Sequence, residues 1–130
     1  MPRLLDGLRI LVLEDEFLIA MDVEQLCRDY GAGEVVIARD LAEIEAQDVA
    51  LLFDAAIVDL MLGGLSTLDF ASRLQAAGVP FIFASGHSDA DEIKASFPGI
   101  RLVTKPYSGD DLIEAVAAAY GRQPPLAARN

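Results

Sequence analysis

The sequence has a single cysteine, Cys27, so it cannot form an internal disulfide. Cys27 lies in an apolar helical pattern and is predicted to be a buried, unreactive thiol. No apolar run approaches the ~20 residues that a membrane-spanning helix needs. The start of the chain lacks the hydrophobic stretch of a signal peptide. We therefore expect no membrane contact and a cytoplasmic location.

Basic residues are also few. The chain has 10 Lys and Arg against 21 Asp and Glu, giving a formal net charge of -11. This balance argues against direct binding of nucleic acid or of an acidic membrane, because both need a basic surface. It suits a protein that binds a cation or a basic partner, although acidic charge also serves solubility alone. The 130 residues, 53% of them hydrophobic, suit one domain with a sizeable core.

Short apolar runs alternate with helical patterns five times along the chain. Such runs are typical of strands buried on both faces of a parallel sheet. The predicted strands cover residues 8–13, 34–38, 54–60, 79–84 and 100–103. The predicted helices cover residues 16–30, 40–52, 66–77, 89–97 and 108–120. The second begins at a cap on Asp40, and its last part, residues 49–53, is compatible with helix or loop. The last helix begins at Ser108 or Asp110. The alternation predicts an α/β domain with a parallel sheet and helices on both faces.

Polar side chains follow four of these strands. Glu14 and Asp15 follow the first strand, Asp59 ends the third, Ser85 follows the fourth and Lys105 follows the fifth. Because the carboxyl ends of parallel strands meet at one edge of a sheet, we expect these side chains to lie together.

The chemistry of this set favours phosphoryl transfer. Three carboxylates in one pocket repel each other, and a divalent cation relieves that repulsion. Oxygen ligands without a nearby histidine or cysteine favour Mg²⁺ over Zn²⁺. A pocket with Mg²⁺, a lysine, a hydroxyl and one central carboxylate suits a phosphoryl group, and an aspartate can itself be the nucleophile.

Each residue also has a simpler interpretation. Asp15 is a possible helix cap, and Glu14 a possible surface acid near a helix start. Ser85 is compatible with a turn, and Lys105 with an ordinary loop. Asp59 is hardest to dismiss, because an unpaired carboxylate is costly at the end of a buried apolar strand.

The ordered set of motifs resembles the receiver domain of bacterial two-component response regulators. The matching segments are Ile10-Leu-Val-Leu-Glu14-Asp15-Glu16, Ile57-Val-Asp59-Leu-Met-Leu, Phe83-Ala-Ser85-Gly86 and Lys105-Pro106-Tyr107. The resemblance implies a flavodoxin-like (βα)5 fold, a doubly wound five-stranded parallel sheet in the order 2-1-3-4-5. The receiver domain is expected over residues 8–120, between an N-terminal extension (1–7) and a disordered tail (121–130).

The resemblance also implies roles for the residues at the sheet edge. Asp59 would accept a phosphoryl group from the phosphohistidine of a histidine kinase. Glu14 and Asp15 would hold Mg²⁺ beside Asp59, and the backbone carbonyl of Met61 would add a ligand. The phosphoryl group itself would be contacted by two further residues, Ser85 by a hydrogen bond and Lys105 by charge pairing.

The expected partners follow from the same resemblance. They are a histidine kinase or phosphotransfer protein and a downstream protein effector, with no nucleic acid and no membrane. The expected protein is a phosphoacceptor rather than an enzyme acting on others, and a monomer or weak dimer. If the sequence is complete, it is expected to be a stand-alone receiver that acts by binding or as a phosphate shuttle or sink. If it is a piece of a longer protein, the tail is expected to begin a linker to a kinase or effector. The fourth helix, fifth strand and fifth helix would form the face that a partner reads.

Some positions depart from the family pattern. Leu102 replaces the usual aromatic switch residue, and the loop after Asp59 lacks a frequent proline. The segment Phe83-Ala-Ser-Gly-His87-Ser resembles the FAT GUY signature of a subgroup of stand-alone receivers. His87 is interpreted as a surface loop residue, with a role in phosphoryl lifetime or pH sensing as the alternative.

Other function classes compete with the phosphorylated switch. A pseudo-receiver would keep the fold as an interaction module without phosphorylation, which Leu102 favours and the intact five-residue set opposes. A haloacid-dehalogenase-type enzyme would need a second aspartate where Met61 stands. A flavin carrier would need a phosphate-cradling loop after the first strand, where the acidic residues beginning at Glu14 would repel phosphate.

Overall fold

A computed structural model of the chain describes residues 3–85, 90–104 and 108–121. The predictions for Lys105, His87, Tyr107 and the tail beyond residue 121 lie outside the described residues. Within them, no helix is long and apolar enough to cross a membrane.

Five strands form one parallel sheet, as predicted. They are β1 (Arg9–Leu13), β2 (Glu34–Ala38), β3 (Ala55–Asp59), β6 (Phe81–Ser85) and β7 (Leu102–Thr104). Two short strands, β4 (Met61–Leu62) and β5 (Leu65–Ser66), lie between β3 and β6 in the chain. The spatial order is β2-β1-β3-β6-β7, and each pairing is parallel. This is the predicted 2-1-3-4-5 order of a flavodoxin-like fold. The direction of winding reverses between β1 and β3, which makes their carboxyl ends the switch point of the sheet.

Helices cover both faces of the sheet. They are α1 (Phe17–Asp29), α2 (Val49–Leu52), α3 (Leu68–Ala76), α4 (Ala90–Ser96) and α5 (Gly109–Tyr120). One hydrophobic cluster packs the α1 and α5 side and includes Val23, Cys27 and Val116. A second packs the opposite side, where Phe81, Phe83 and Phe97 meet edge to face. Both faces of the central strands are therefore buried, which explains their continuous apolar sequences.

The N-terminal segment contributes to the first cluster. Leu4 and Leu5, which lie in the predicted extension, are both buried there. The backbone amide of Leu5 donates to the carbonyl of Tyr30 at 3.0 Å. The Tyr30 hydroxyl in turn donates to Asp110 at 2.6 Å, which raises the pKa of Tyr30 and joins the end of α1 to the start of α5.

The prediction of one continuous helix over residues 40–52 is wrong. The segment forms a 3-10 turn at Leu41–Glu43, irregular turns, and then the single helical turn of α2. The predicted cap is confirmed, because the Asp40 side chain accepts a hydrogen bond from the Glu43 amide at 3.1 Å.

A contact from α3 explains why this segment is not helical. The Arg73 guanidinium donates to the carbonyls of Glu45 and Gln47 at 3.0 and 3.2 Å. It also lies 5.3 Å from the centre of the Phe70 ring. These contacts satisfy backbone groups that a helix would otherwise pair internally.

The loop that follows Asp59 forms a small hairpin. Strands β4 (Met61–Leu62) and β5 (Leu65–Ser66) pair antiparallel around Gly63 and Gly64. Both glycines have positive φ, 59° and 80°, as a two-residue hairpin turn of this hand requires. Leu62 is fully buried and anchors the hairpin in the core.

Candidate functional site

Three carboxylates meet at the carboxyl edge of the sheet. Glu14 and Asp15 follow β1, and Asp59 is the last residue of the adjacent strand β3. One carboxylate oxygen from each residue lies within 4.8 Å of the others. The convergence predicted from the strand ends is therefore present in the fold.

Glu14 is not a surface acid. It is only 3% exposed, and its Oε2 accepts a hydrogen bond from the Glu16 amide at 3.1 Å, just before α1 begins. A buried carboxylate is costly unless it is paired, and the N-terminus of a helix offers compensating partial positive charge. The fold thus holds this carboxylate inside the cluster.

Asp15 is not the cap of α1. The cap position is Glu16, and no side chain makes the capping bond there. Asp15 Oδ2 instead accepts a hydrogen bond from the Gly63 amide at 3.0 Å, at the turn of the β4–β5 hairpin. This contact brings the hairpin turn against the acidic cluster.

Asp59 lies half-buried at the base of the same hairpin. The Met61 amide lies 3.4 Å from Asp59 Oδ1, a long hydrogen bond. Met61 therefore stands beside the cluster, two residues beyond Asp59, while its side chain is exposed.

Ser85 is the last residue of the neighbouring strand β6 and is buried. Asp59 stands opposite Ala84 in the sheet register, which places Ser85 one residue further toward the same edge. Ser85 pairs with Thr104, the residue immediately before Lys105 in the chain. Lys105 itself lies outside the described residues.

Two residues at this edge were not predicted as part of the site. The Thr67 hydroxyl donates to the carbonyl of Asp59 at 2.6 Å. The Gly63 amide donates to Asp15 Oδ2 at 3.0 Å. No sequence pattern indicates Gly63, but a hydroxyl residue eight positions after Asp59, directly before the apolar Leu68, is a weak signal for Thr67.

The arrangement suits a hard divalent cation. The three clustered groups offer carboxylate oxygens alone, without histidine or cysteine. Such a set favours Mg²⁺, which prefers oxygen ligands and coordinates few carboxylates. Asp59 is half-buried at the edge of the cluster, so its carboxylate is partly accessible.

Comparison with known proteins gives one consistent family. A family model described as "Response regulator receiver domain" matches residues 10–117. Transcriptional regulatory protein PdtaR of Mycobacterium tuberculosis is 28% identical over 123 residues, covering 88% of this chain and 57% of that protein. Sensory transduction protein RegX3 of Mycobacterium bovis is 33% identical over 116 residues, covering 87% and 51%. The chain thus spans about half the length of these relatives.

A solved structure agrees with the fold. A response regulator receiver protein from Sinorhizobium medicae matches with a TM-score of 0.78 at 24% identity, covering 89% of this chain and 96% of that one.

Proposed function

This chain belongs to the response regulator receiver domain family, and we propose that Asp59 accepts a phosphoryl group from the phosphohistidine of a histidine kinase or phosphotransfer protein. The observation that carries the proposal is the cluster of Glu14, Asp15 and Asp59 within 4.8 Å at the switch point of the sheet. In the transfer, an Asp59 carboxylate oxygen bonds to phosphorus while the phosphorus–nitrogen bond breaks. The bonding pair stays on the imidazole, and an acyl phosphate forms.

Glu14, Asp15 and Asp59 are proposed to hold Mg²⁺, with the backbone carbonyl of Met61 as a further ligand. Asp15 would bind it directly, and Glu14 would act through a water molecule. The bound ion supplies neutralisation of the charge on the transferring phosphoryl oxygens. The buried position of Glu14 supports this proposal, because a cation would offset the cost of burying its carboxylate.

Ser85 and Lys105 are proposed to contact the phosphoryl group after transfer. Ser85 donates a hydrogen bond to a phosphoryl oxygen, and Lys105 pairs with the new negative charge. The sheet register supports roles for both residues at one phosphoryl group, because Ser85 lies opposite Thr104, which precedes Lys105 in the chain. The added charge shifts the conformation of the edge, and a protein effector reads that shift.

The surface beside Asp15 supports a protein donor. At the start of α1, the side chains of Phe17, Leu18 and Met21 are 57%, 74% and 49% exposed. Large apolar side chains grouped on a surface are typical of protein interfaces. A donor protein that reaches Asp59 passes close to this group, because α1 begins two residues after Asp15.

We place the protein in the cytoplasm, as a phosphoacceptor and not an enzyme, in a monomeric or weakly dimeric state.

The proposal is tested by intact-mass analysis after incubation with acetyl phosphate and Mg²⁺. Wild type should gain one phosphoryl adduct that EDTA prevents, and Asp59→Asn should gain none. Asp69→Asn, which alters an exposed aspartate of α3, is the matched control and should behave as wild type.

A wild-type protein that takes no adduct from acetyl phosphate is next offered phosphorylated histidine kinases. Failure with these donors as well would overturn the proposal. It would favour the pseudo-receiver, in which Mg²⁺ binding persists without phosphorylation. Half-buried Leu102, at the position of the usual aromatic switch, is the feature consistent with that alternative.

A further inference from the structure

Thr67 is a buried polar residue with no role in the predicted site. Among the described residues, the buried polar or charged side chains are Glu14, Thr67 and Ser85. Two of these were predicted as site residues from the strand ends. Thr67 is the third, and it is fully buried. Burial of a hydroxyl is unfavourable unless a partner is provided, so its partner indicates what it does.

The partner is the backbone of Asp59. Thr67 Oγ1 lies 2.6 Å from the carbonyl oxygen of Asp59 and 3.1 Å from that of Leu60. Carbonyl oxygens only accept, so the single hydroxyl proton is donated, and the shorter distance identifies Asp59 as the main acceptor. The Thr67 amide also donates to the Leu60 carbonyl at 3.0 Å. Thr67 thus closes the base of the β4–β5 hairpin immediately after Asp59.

Helix capping does not account for this side chain. Thr67 occupies the cap position of α3, but its side chain accepts no capping hydrogen bond. The neighbouring Ser66 performs a local role instead, since its Oγ accepts from the Leu68 amide at 3.2 Å. The Thr67 hydroxyl is directed toward β3 rather than along the helix.

We propose that Thr67 is a positioning residue for the phosphoacceptor. Its hydroxyl fixes the peptide group that joins Asp59 to Leu60, and with it the direction of the Asp59 side chain. The same bond fixes where the hairpin leaves β3, which sets the position of Met61 beside the cluster. Thr67 touches neither phosphoryl donor nor metal and acts through Asp59. This inference rests on the proposed phosphorylation of Asp59.

The test compares Thr67→Val with Thr67→Ser. Valine keeps the shape of threonine without the hydroxyl, whereas serine keeps the hydroxyl without the methyl group. Ser66→Ala removes the adjacent hydroxyl, which accepts from the Leu68 amide. For each variant, phosphorylation by acetyl phosphate is measured at saturating Mg²⁺, together with Mg²⁺ affinity and the urea midpoint of unfolding.

Thr67→Val should phosphorylate roughly ten- to a hundredfold more slowly than wild type, because small misplacements of a reacting group carry penalties of that size. Saturating Mg²⁺ should not restore the rate, and Mg²⁺ affinity should also fall. Thr67→Ser should recover most of the rate, and Ser66→Ala should match wild type. A folded Thr67→Val that reacts at the wild-type rate would overturn the proposal. So would valine and serine variants that are equally slow, since a purely structural packing role would produce that result.

A measurement on wild type covers the case in which Thr67→Val does not fold. The Thr67 hydroxyl proton should appear as a slowly exchanging NMR resonance with a nuclear Overhauser contact to the Leu60 amide. A rapidly exchanging hydroxyl would overturn the proposal.

If wild type itself accepts no phosphoryl group, the proposed function fails. The hydroxyl resonance and the Mg²⁺ affinities of the serine and valine variants then still decide whether Thr67 positions Asp59.

Discussion

The amide of Gly63 donates a hydrogen bond to Asp15 Oδ2 at 3.0 Å, across 48 residues of sequence. The bond connects the end of β1 to the hairpin that follows Asp59. One carboxylate of the acidic cluster therefore also holds the hairpin in place. Changes at Asp15 should affect both the cation and the hairpin, and the two effects can be measured separately.

Replacement of Asp15 by alanine should weaken Mg²⁺ binding by roughly tenfold or more. Loss of a residue that only hydrogen-bonds to a metal ligand typically lowers metal affinity roughly ten- to a hundredfold. Loss of a ligand itself should lower the affinity by at least as much. Isothermal titration calorimetry with MgCl₂ measures the affinity. Asp22→Ala is the control, because it removes an exposed charge of α1 outside the cluster. Equal affinity in the Asp15 variant and wild type would remove Asp15 from the metal site.

Replacement of Leu18 by serine should slow phosphoryl transfer from a phosphorylated kinase by roughly tenfold, the usual effect of losing a well-packed interface side chain. The rate with acetyl phosphate should not change, because a small donor needs no docking surface. Leu51→Ser is the matched control, since Leu51 is 70% exposed. The Leu51 carbonyl accepts from the Arg9 guanidinium at the amino end of β1, away from the carboxyl ends of the strands where Asp59 lies. Equal slowing in both variants would argue against docking at α1.

Replacement of Arg73 by alanine should lower the free energy of unfolding by about 1 kcal/mol, from loss of its two hydrogen bonds to backbone carbonyls. Arg73→Lys should recover little, because an ammonium group cannot reproduce the fork that reaches both carbonyls. Urea denaturation measures the effect. Both variants should be phosphorylated by acetyl phosphate at the wild-type rate. A large decrease in that rate would show that residues 44–47 influence the site.

Cys27 should resist alkylation in the native protein. Burial raises the pKa of its thiol to about 12, and the thiolate is the reactive form. The raised value means that the neutral thiol is preferred in the folded state. The neutral Cys27 thiol therefore contributes fully to the free energy of unfolding below pH 9.0, the pKa of the thiol in the unfolded chain. That contribution is lost as the pH rises toward 12.

Iodoacetamide labelling followed by mass spectrometry tests this prediction. At pH 8 the native protein should label far more slowly than the protein in urea. The stability difference between wild type and Cys27→Ala should shrink between pH 9 and pH 12. Rapid native labelling would contradict the buried position of Cys27.

Local sequence patterns were sufficient for the sheet and for the acidic cluster at its edge. The apolar runs around Val12 and Ile57 predict buried strands because every residue in such a strand meets a helix on one face or the other. The caps at Asp40 and Ser108 are confirmed, since a cap depends on the next three residues alone. Once parallel strands were recognised, the meeting of Glu14, Asp15 and Asp59 followed from their positions at strand ends.

Contacts between distant segments decided what those patterns could not. The stretch after Asp40 resembles a helix locally, but Arg73, 26 to 28 residues away, satisfies its carbonyls in an irregular turn. Thr67 is a plausible cap in sequence, but the hairpin turns its hydroxyl toward Asp59. The residues of the acidic cluster were thus determined by the sequence at the strand ends. The hydrogen bond from the Gly63 amide to Asp15 arises only when the chain is folded, because it joins groups that are 48 residues apart in sequence and meet only across the paired strands β1 and β3.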